Sequence, residues 1–362
     1  MNIKSTDPRF GYVAYPGCKI TEQPHTKHIS SQFYNYSFDK DTGLFSRWGV
    51  TKEDDPTWSQ FGPEILDIEI STVCNQGCKH CYKSNESVGK NMSLETFKKI
   101  FNKLPRTLTQ IAFGIGSLEA EGLELFEIMY YCRNNDYQHI VPNVTINGSG
   151  LTDERAEKLS KLCGAVAVSR YDKDICYNAV KKLTDLGMKQ VNIHQVLSLE
   201  SYLKCWELLY QYQEDPRLKK LNAIVFLTLK PKGRAKGTYN QLTSAPKYRT
   251  LIEYALKNKI PIGFDSCGCS NFLEAIKDHE NFNEFKQLAE PCESTCFSLY
   301  VDVDGLVRPC SFCSSSDMKS EINMLDVEDF DRDVWNSEPI KEFRERLIKN
   351  DRRCPLYNLE MR

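Results

Sequence analysis

The fold is decided by residues 65–81, which read ILDIEISTVCNQGCKHC. Residues 65–70 are mostly apolar, with two acidic residues at alternate positions, a pattern typical of a β-strand. The loop that follows carries Cys74, Cys78 and Cys81 in the spacing C-x3-C-x2-C. Three thiolates at this spacing can surround one small metal centre and leave a coordination position open, whereas a structural zinc ion normally takes four ligands. The stretch therefore predicts a strand that ends in a metal-binding loop.

From this strand onward, apolar segments of strand length alternate with segments of helical periodicity. Strands are predicted at residues 65–70, 110–115, 141–146, 165–169, 190–197, 223–229 and 260–264. Helices are predicted at residues 93–104, 121–135, 152–162, 174–186, 199–213 and 246–258, with Thr152 and Asp174 as N-caps and Gly187 as a C-terminal stop. Six or seven βα units in series predict an α/β fold with a helix-covered parallel sheet, either open or closed into a full or partial barrel.

Both ends of the chain differ from this alternating region. The first sixty residues are rich in aromatic, glycine and polar residues, and Asn35–Trp48 reads as a β-hairpin that turns at Gly43. After residue 264 cysteines become frequent, and helical patterns are sparse until Pro339. We therefore predict three units: an N-terminal extension with a β-hairpin (1–62), the βα region (63–264) and a small cysteine-rich unit (265–362).

The composition is that of a soluble globular protein. Of 362 residues, 41% are hydrophobic and 27% are charged, and the net charge is -2. This balance argues against a broad nucleic-acid or membrane-surface footprint. No apolar run approaches the ~20 residues of a membrane-spanning helix, and residues 1–10 lack the apolar segment of a secretory signal. We expect a cytoplasmic protein with neither nucleic acid nor membrane as a partner.

Fifteen cysteines are an unusual number for such a chain. An odd count in a long chain fits a disulfide framework poorly and favours metal or iron–sulfur ligation. Seven of them fall in the C-terminal unit: Cys267, Cys269, Cys292, Cys296, Cys310, Cys313 and Cys354. Five others are scattered, and we predict that they are small buried apolar side chains: Cys18, Cys132, Cys163, Cys176 and Cys205.

A C-x3-C-x2-C loop after the first strand of a βα series resembles the radical S-adenosylmethionine (radical SAM) superfamily, whose fold is a partial (βα)6 TIM-type barrel. The resemblance implies that Cys74, Cys78 and Cys81 hold a [4Fe–4S] cluster whose open iron chelates SAM. It also implies that one electron from the cluster cleaves SAM to methionine and a 5′-deoxyadenosyl radical, which abstracts a hydrogen atom from a substrate.

The ends of three later strands are similar to SAM-contacting motifs of the same superfamily. The second strand ends in Gly-Ile-Gly where many members have Gly-Gly-Glu; the acidic residue is missing there, and Glu119 comes later. The third ends in Thr-Ile-Asn-Gly and the fourth in Ser-Arg. The resemblance implies SAM contacts from Gly114, Gly116, Asn147, Ser169 and Arg170. Ordinary turn chemistry at strand ends is the alternative explanation.

The C-terminal unit resembles the auxiliary-cluster domains called twitch and SPASM. Cys292 to Cys310 has the form C-x12-G-x4-C, with Gly305 at the turn of a predicted hairpin over residues 297–308. A full SPASM domain has a longer late cysteine run, of which only Cys354 is present here. The resemblance therefore implies one auxiliary [4Fe–4S] cluster.

A four-cysteine cluster needs two ligands besides Cys292 and Cys310. We predict Cys267, at the junction of the two units, and Cys354, because tying both ends of an irregular unit to one cluster would stabilise it. The rival ligands are Cys313, Cys296 and Cys269, and Cys313 is the main rival because it forms a C-x2-C pair with Cys310. A zinc site is the alternative to a cluster.

Three further polar features lie in the βα region. His194 and Asn192 share a face of the fifth strand, where they could meet a substrate, although a satisfied core or rim histidine is the commoner case. Asp67 and Glu69 share a face of the first strand, which by default is solvated or salt-bridged. The loop Pro231–Gly237 carries three cations; it could hold a substrate carboxylate or peptide, or be a solvated loop.

The resemblance points to a radical SAM enzyme that modifies a ribosomally made peptide or a protein, by an oxidoreductase, lyase or crosslinking reaction. Its partners would be a precursor peptide or protein, a separate leader-peptide-binding protein, and an electron donor such as flavodoxin or ferredoxin. One alternative is a radical SAM dehydrogenase of a small molecule, which has no peptide partner. The other is a non-catalytic iron–sulfur electron carrier, which would not cleave SAM.

Overall fold

Two β-sheets organise the structure, a computed structural model that describes residues 11–51, 53–135 and 138–361. The first sheet is antiparallel, and each of its strands pairs with the next one along the chain. These strands are β1 (Gly11–Tyr15), β2 (Cys18–Glu22), β3 (Thr26–Ser30), β4 (Asn35–Asp39) and β5 (Phe45–Trp48). The predicted hairpin is formed by β4 and β5 and is confirmed, with Gly43 at a φ of 72° in its turn. Strands β1 to β3 were not predicted.

The second sheet begins with seven parallel strands. They are β6 (Ile65–Glu69), β7 (Gln110–Gly114), β8 (Val141–Ile146), β9 (Val166–Ser169), β10 (Val191–Leu197), β11 (Ala223–Thr228) and β12 (Ile262–Phe264). One helix connects each strand to the next: α1 (Leu94–Phe101), α2 (Leu125–Asn134), α3 (Asp153–Leu162), α4 (Lys173–Asp185), α5 (Tyr202–Glu214) and α6 (Ala245–Lys257). These six βα units confirm the predicted α/β fold, with bounds close to those predicted.

The parallel sheet continues into the C-terminal part of the chain. Strand β13 (Ser298–Val301) pairs in parallel with β6, and β14 (Val307–Arg308) pairs antiparallel with β13. The predicted hairpin is thus confirmed, with Gly305 at a φ of 84° in its turn. The sheet order is β12-β11-β10-β9-β8-β7-β6-β13-β14. Strands β13 and β14 thus belong to the same sheet as the strands of the βα region. The proposed boundary at residue 264 therefore marks a change of sequence pattern and does not divide two sheets.

The C-terminal part holds more helix than the sequence patterns indicate. Helices α7 (Cys269–Ala275) and α8 (Phe282–Leu288) precede the hairpin, and α9 (Glu338–Lys349) follows it. Only α9 was expected. The two unexpected helices have seven residues each, too short to show a helical repeat of apolar residues, and α8 has no buried residue.

Side-chain caps set the starts of three connecting helices, and Ser93 caps α1 by accepting a hydrogen bond from the N–H of Thr96 at 3.1 Å. Thr152 caps α3 as predicted, since its Oγ1 accepts a hydrogen bond from the backbone N–H of Arg155 at 3.2 Å. The predicted cap Asp174 is wrong: Asp172 caps α4, and its carboxylate accepts from the N–H of Ile175 at 2.9 Å. Asp172 is the extended residue just before the first turn, so its carboxylate faces the free N–H groups. Gly187, at a φ of 91°, follows α4 as predicted.

The first sheet is attached to the second by buried polar contacts. The ammonium of Lys27 donates to the carbonyl of Leu108 at 2.8 Å, and the Tyr34 hydroxyl donates to Glu64 at 2.6 Å. The guanidinium of Arg47 binds both oxygens of Glu64, at 2.7 and 2.8 Å. Glu64 lies directly before β6, so these bonds fix the first sheet beside the strand that precedes the cysteine loop.

Four of the five scattered cysteines are buried as predicted, namely Cys132, Cys163, Cys176 and Cys205. Cys18, the first residue of β2, is only half-buried, so its prediction was wrong in degree. Within the described part of the chain, no helix combines the length and the apolar character needed to cross a membrane.

Candidate functional site

Three cysteine thiols are held together by the loop that follows β6, here called the triad loop (residues 70–92). The N–H of Cys74 donates to the carbonyl of Glu86 at 2.7 Å, and the N–H of Cys81 donates to the carbonyl of Cys78 at 3.2 Å. All three thiols are half-buried. Burial, and then the neighbouring thiols of Cys74 and Cys81, raise the pKa of Cys78. The predicted ligands therefore lie together at the carboxyl end of the first parallel strand, where barrel active sites form.

Gly116 follows β7, and its lack of a side chain allows close contact with the triad loop. A Cβ on Gly116 would lie 2.3 Å from the carbonyl oxygen of Val73 and 2.7 Å from Cβ of Cys74, so only glycine fits there. Gly114 is different, because its Cβ would meet nothing closer than Cα of Glu69 at 3.5 Å. The structure thus gives Gly116 a role in placing Cys74 and gives Gly114 no such role.

The other predicted SAM contacts are placed unequally. The side chain of Asn147 donates to the carbonyl of Gly116 at 3.3 Å and accepts from the N–H of Ser149 at 2.9 Å, which joins two strand ends beside the triad loop. Ser169 is buried and interacts with Tyr171. These contacts place Asn147 beside the triad loop and Ser169 next to Tyr171.

Arg170 is turned towards the helices. Its guanidinium donates to Glu207 of α5 at 2.7 Å, to Gln195 at 3.3 Å and to the Tyr177 hydroxyl at 3.3 Å. These bonds tie α4 and α5 to β10, so the structure gives Arg170 a role in packing and does not bring it to the thiols.

The loop Pro231–Gly237, here called the clamp loop, binds the triad loop. The guanidinium of Arg234 donates to the carbonyls of Cys78 at 2.9 Å and Asn85 at 3.0 Å, and the N–H of Arg234 donates to Cys81. Gly233, at a φ of 60°, allows the approach, since a Cβ there would lie 2.4 Å from the carbonyl oxygen of Tyr82. The sequence suggested a substrate-binding or solvated loop; the structure shows Arg234 engaged with the triad loop instead.

The same loop reaches the C-terminal cysteines. The ammonium of Lys232 donates to the carbonyls of Ser311 at 3.1 Å and Cys313 at 3.2 Å. One loop therefore contacts both cysteine-bearing segments, which the sequence did not indicate because the partners are main-chain carbonyls.

Aromatic rings surround the triad loop. The His80 ring lies 5.1 Å from the ring of Tyr171 and 5.5 Å from that of Tyr239. Burial and the cations Lys204 and Arg234 lower the pKa of His80, and its Nε2 is buried without a hydrogen-bond partner among the described residues. Tyr171 is affected electrostatically by all three thiols. Sequence analysis missed these rings because they come from three separate loops.

Four C-terminal thiols line one cavity of about 210 Å³, namely those of Cys267, Cys292, Cys310 and Cys354. Their pKa values reflect this proximity. Burial raises the pKa of Cys267 to about 12, with added contributions from Cys310 and Cys354. Burial raises that of Cys292 well above its ordinary value, and the other three thiols add to the effect. The structure thus brings together all four predicted auxiliary ligands.

The three rival cysteines are absent from the described residues that line this cavity. Cys313 is buried next to Cys310, and its thiol contacts the carbonyl of Ser314 at 3.6 Å. The charged groups around Cys269 are Glu290 and Arg352. Cys296 is fully buried beside three arginines. The positions of these thiols favour neighbours of the site over ligands.

Each donor set has the composition of an iron–sulfur cluster site. In a [4Fe–4S] cluster each thiolate binds its own iron, so the thiols can surround a volume, as the four around the cavity do.

The two carboxylates of β6, those of Glu69 and Asp67, differ in their partners. Glu69 is buried and paired, with Lys83 at 3.0 Å and the Tyr300 hydroxyl at 2.9 Å. Asp67 lines the cavity of the four thiols, and no described residue forms an ion pair or hydrogen bond with its carboxylate. Burial raises the pKa of Asp67 to about 6. The expected salt-bridged face is therefore confirmed for Glu69 and wrong for Asp67, because Asp67 faces a cavity.

His194 fits the core interpretation. Burial lowers its pKa to about 4, although the charge of Asp265 acts in the opposite direction. The imidazole is therefore uncharged near neutral pH.

Asp67 gives a prediction for stability against pH. Its folded-state pKa, about 6, is above the ordinary 3.8, so the folded protein binds this proton more tightly than the unfolded chain does. Ionisation of Asp67 therefore lowers the free energy of unfolding. This destabilisation is absent below about pH 4, complete above about pH 6, and at most about 3 kcal/mol. Asp67→Asn should therefore raise the Tm of the protein without its clusters at about pH 8, with less gain at about pH 5. The control is Asp55→Asn, at an exposed position, which should change the Tm at neither pH. An equal gain in Tm at both pH values for Asp67→Asn would contradict the prediction.

Arg234 gives a prediction for cluster retention. Arg234→Met removes two charged hydrogen bonds to the triad loop, each worth about 1.5–3 kcal/mol. A loss of only about 1.5 kcal/mol corresponds to a factor of about ten in an equilibrium or rate constant. The iron of the triad cluster, which is half of the bound iron, should therefore be released to a chelator about tenfold faster. The control is Lys236→Met, which removes an exposed cation of the same loop. Equal release rates for the two variants would show that the clamp does not stabilise the triad loop.

Comparison with known proteins agrees with this arrangement. Residues 292–356 match the family model of SPASM, an iron-sulfur cluster-binding domain. The structure of Streptococcus suis SuiB superposes with a TM-score of 0.63 at 14% identity, covering 88% of each chain. That of anSMEcpe with bound AdoMet and Cp18Cys peptide superposes with a TM-score of 0.58 at 20% identity, covering 78% of this chain and 82% of that one. Curated proteins give no sequence match.

The chain therefore combines a partial-barrel α/β fold with a C-terminal iron–sulfur cluster-binding domain. The solved structures confirm the predicted α/β fold, and the family model confirms the predicted SPASM-type domain at the C-terminus.

Proposed function

We propose that the chain is a radical SAM enzyme that modifies a peptide or protein side chain. The observation that carries the proposal is that the fold brings two separate cysteine sets to the same strand, β6. Cys74, Cys78 and Cys81 follow β6, and the four thiols of the second set line a cavity that also contains Asp67 of β6. A three-thiolate cluster and a four-thiolate cluster would thus both lie beside β6.

The residues of the chain would position the cofactors and shield them. In their bound form, a [4Fe–4S] cluster and SAM supply a 5′-deoxyadenosyl radical that removes a hydrogen atom from the substrate. The thiolates of the triad loop would hold this cluster, and Arg234 and Gly116 would keep the loop in place. Asn147 and Ser169, at adjacent strand ends, would orient SAM. The rings of His80 and Tyr171 would cover the site and exclude water.

One consideration supports a peptide or protein as the substrate. The fold is shared with SuiB and with anSMEcpe, whose structure contains a bound Cp18Cys peptide. Cys267, Cys292, Cys310 and Cys354 would hold the auxiliary cluster. An electron donor such as flavodoxin or ferredoxin and a leader-peptide-binding protein would be partners, and fifteen unpaired thiols fit a reducing, cytoplasmic compartment.

The test is a product assay. Protein reconstituted with iron and sulfide under anaerobic conditions is incubated with SAM, a reductant and candidate precursor peptides, and both 5′-deoxyadenosine and peptide mass are followed. We expect 5′-deoxyadenosine without peptide at a low rate, and a mass change in the true substrate that requires SAM. Absence of 5′-deoxyadenosine from protein with a full iron content would overturn the enzyme assignment. Conversion of a small alcohol and of none of the peptides would favour the dehydrogenase alternative.

A further inference from the structure

The two cysteine-bearing segments touch through a pair of aromatic rings. Tyr82 directly follows Cys81, and Phe312 lies between Cys310 and Cys313. The two ring centroids are 4.4 Å apart at an interplanar angle of 33°. This is the shortest centroid distance among the described aromatic pairs, and it joins residues that are 230 positions apart in the chain.

The ring pair is fixed from several sides. Arg234 holds the carbonyl of Cys78 on the Tyr82 side, while Lys232 holds the carbonyls on both sides of Phe312. The carbonyl of Phe312 itself accepts a hydrogen bond from Tyr357 at 3.0 Å. The two rings therefore stay in contact without depending on their own attraction alone.

A cation lies beside the pair. The ammonium of Lys230 is 4.6 Å from the centroid of the Phe312 ring, and Lys230 is itself buried and paired with Asp265. A positive charge this close to a ring lowers the energy of extra electron density on that ring.

We propose that the Tyr82–Phe312 pair is the path by which an electron passes between the triad cluster and the auxiliary cluster. The proposal rests on the proposed function, in which each segment holds a cluster. In the transfer, one cluster loses one electron and the other gains it; no bond forms or breaks, and no proton moves. The first electron comes from an external one-electron reductant.

The physical reason is orbital overlap. Electron tunnelling weakens steeply as the gap between donor and acceptor widens, and it is fastest where closely spaced, polarisable groups fill that gap. Each ring is separated from a ligand thiolate by a short stretch of main chain, and the rings contact each other directly. Removing one ring leaves aliphatic atoms or empty space where the two rings now meet.

The experiment compares ring-less and ring-keeping variants. Phe312→Leu and Tyr82→Leu remove a ring, whereas Phe312→Tyr and Tyr82→Phe keep it. Each protein receives fewer electrons than one per molecule in a pulse from photoreduced deazaflavin, and freeze-quenched EPR follows the ratio of the two reduced-cluster signals over time. We expect the ring-less variants to approach the final ratio more slowly than wild type by roughly an order of magnitude, and the ring-keeping variants to match wild type.

Controls separate this inference from the proposed function. Iron content and the two midpoint potentials are measured first; a single cluster signal in wild type would refute the two-cluster assignment and with it the electron path. Tyr210→Leu removes a ring from an exposed aromatic pair with Tyr254, 5.1 Å apart on the outer helices, and should have no effect. If ring-less variants keep both clusters and both potentials and equilibrate at the wild-type rate, the path is wrong. It is also wrong if the ring-keeping variants are as slow as the ring-less ones.

Discussion

Simultaneous replacement of Cys74, Cys78 and Cys81 by Ala is expected to abolish the formation of 5′-deoxyadenosine. The three thiols lie together on the loop after β6, and without them no iron remains there to chelate SAM. Reconstituted wild-type protein should contain about eight irons, as two [4Fe–4S] clusters, and the triple variant about four. Iron analysis and chromatography of the reaction products measure both quantities.

A suitable control is Cys18→Ala, because Cys18 is half-buried in the first sheet, in β2. This variant should keep both the iron and the activity of wild type. Formation of 5′-deoxyadenosine by the triple variant would refute the triad assignment. A wild-type iron content near four would instead remove the auxiliary cluster.

Single replacement of Cys267, Cys292, Cys310 or Cys354 by Ser is expected to make the auxiliary cluster labile. These thiols surround one cavity, and metal binding in a small irregular unit contributes to its folding free energy. The C-terminal unit should become more susceptible to proteolysis. Since most residues of the main apolar core belong to the βα region, the triad cluster should remain, so that SAM cleavage continues while product formation falls. Iron and sulfide content, limited proteolysis and the ratio of product to 5′-deoxyadenosine measure these effects.

The rival cysteines provide the matched controls. Cys269→Ser, Cys296→Ser and Cys313→Ser should retain the auxiliary cluster, because these thiols lie outside the cavity lining. Loss of the cluster in Cys313→Ser together with its retention in Cys354→Ser would show that the C-x2-C pair supplies the fourth ligand.

The parallel strands could be predicted because each is short, rich in apolar residues and bounded by turn or capping signals. Strands β2 and β3 could not, because their inward positions include charged residues. Glu22 and Lys27 are buried in this sheet and pair at 3.2 Å, and Lys40 pairs with the same carboxylate. Paired charges on the buried face remove the apolar alternation by which a strand is predicted.

Some residues of the candidate site could likewise be predicted from the sequence, and others could not. The thiol ligands could be predicted because only cysteine supplies a thiolate, and the spacing of cysteines can be read from the sequence. The clamp loop could not be predicted, since Arg234 and Lys232 bind main-chain carbonyls, which every residue has. Arg170 matched a motif position, yet a carboxylate on α5 attracts its guanidinium, and a contact between distant segments leaves no local pattern.

The pairing of β13 with β6 affects how the protein is made. During synthesis the chain leaves the ribosome from its N-terminus, so β6 is available long before the segment that pairs with it, Ser298–Val301. In that interval the edge of β6 has free backbone N–H and C=O groups, which can pair with another nascent chain. Ribosomes that stall before residue 298 would release polypeptides with this edge uncovered. Chaperone engagement should therefore be greatest just before β13 emerges.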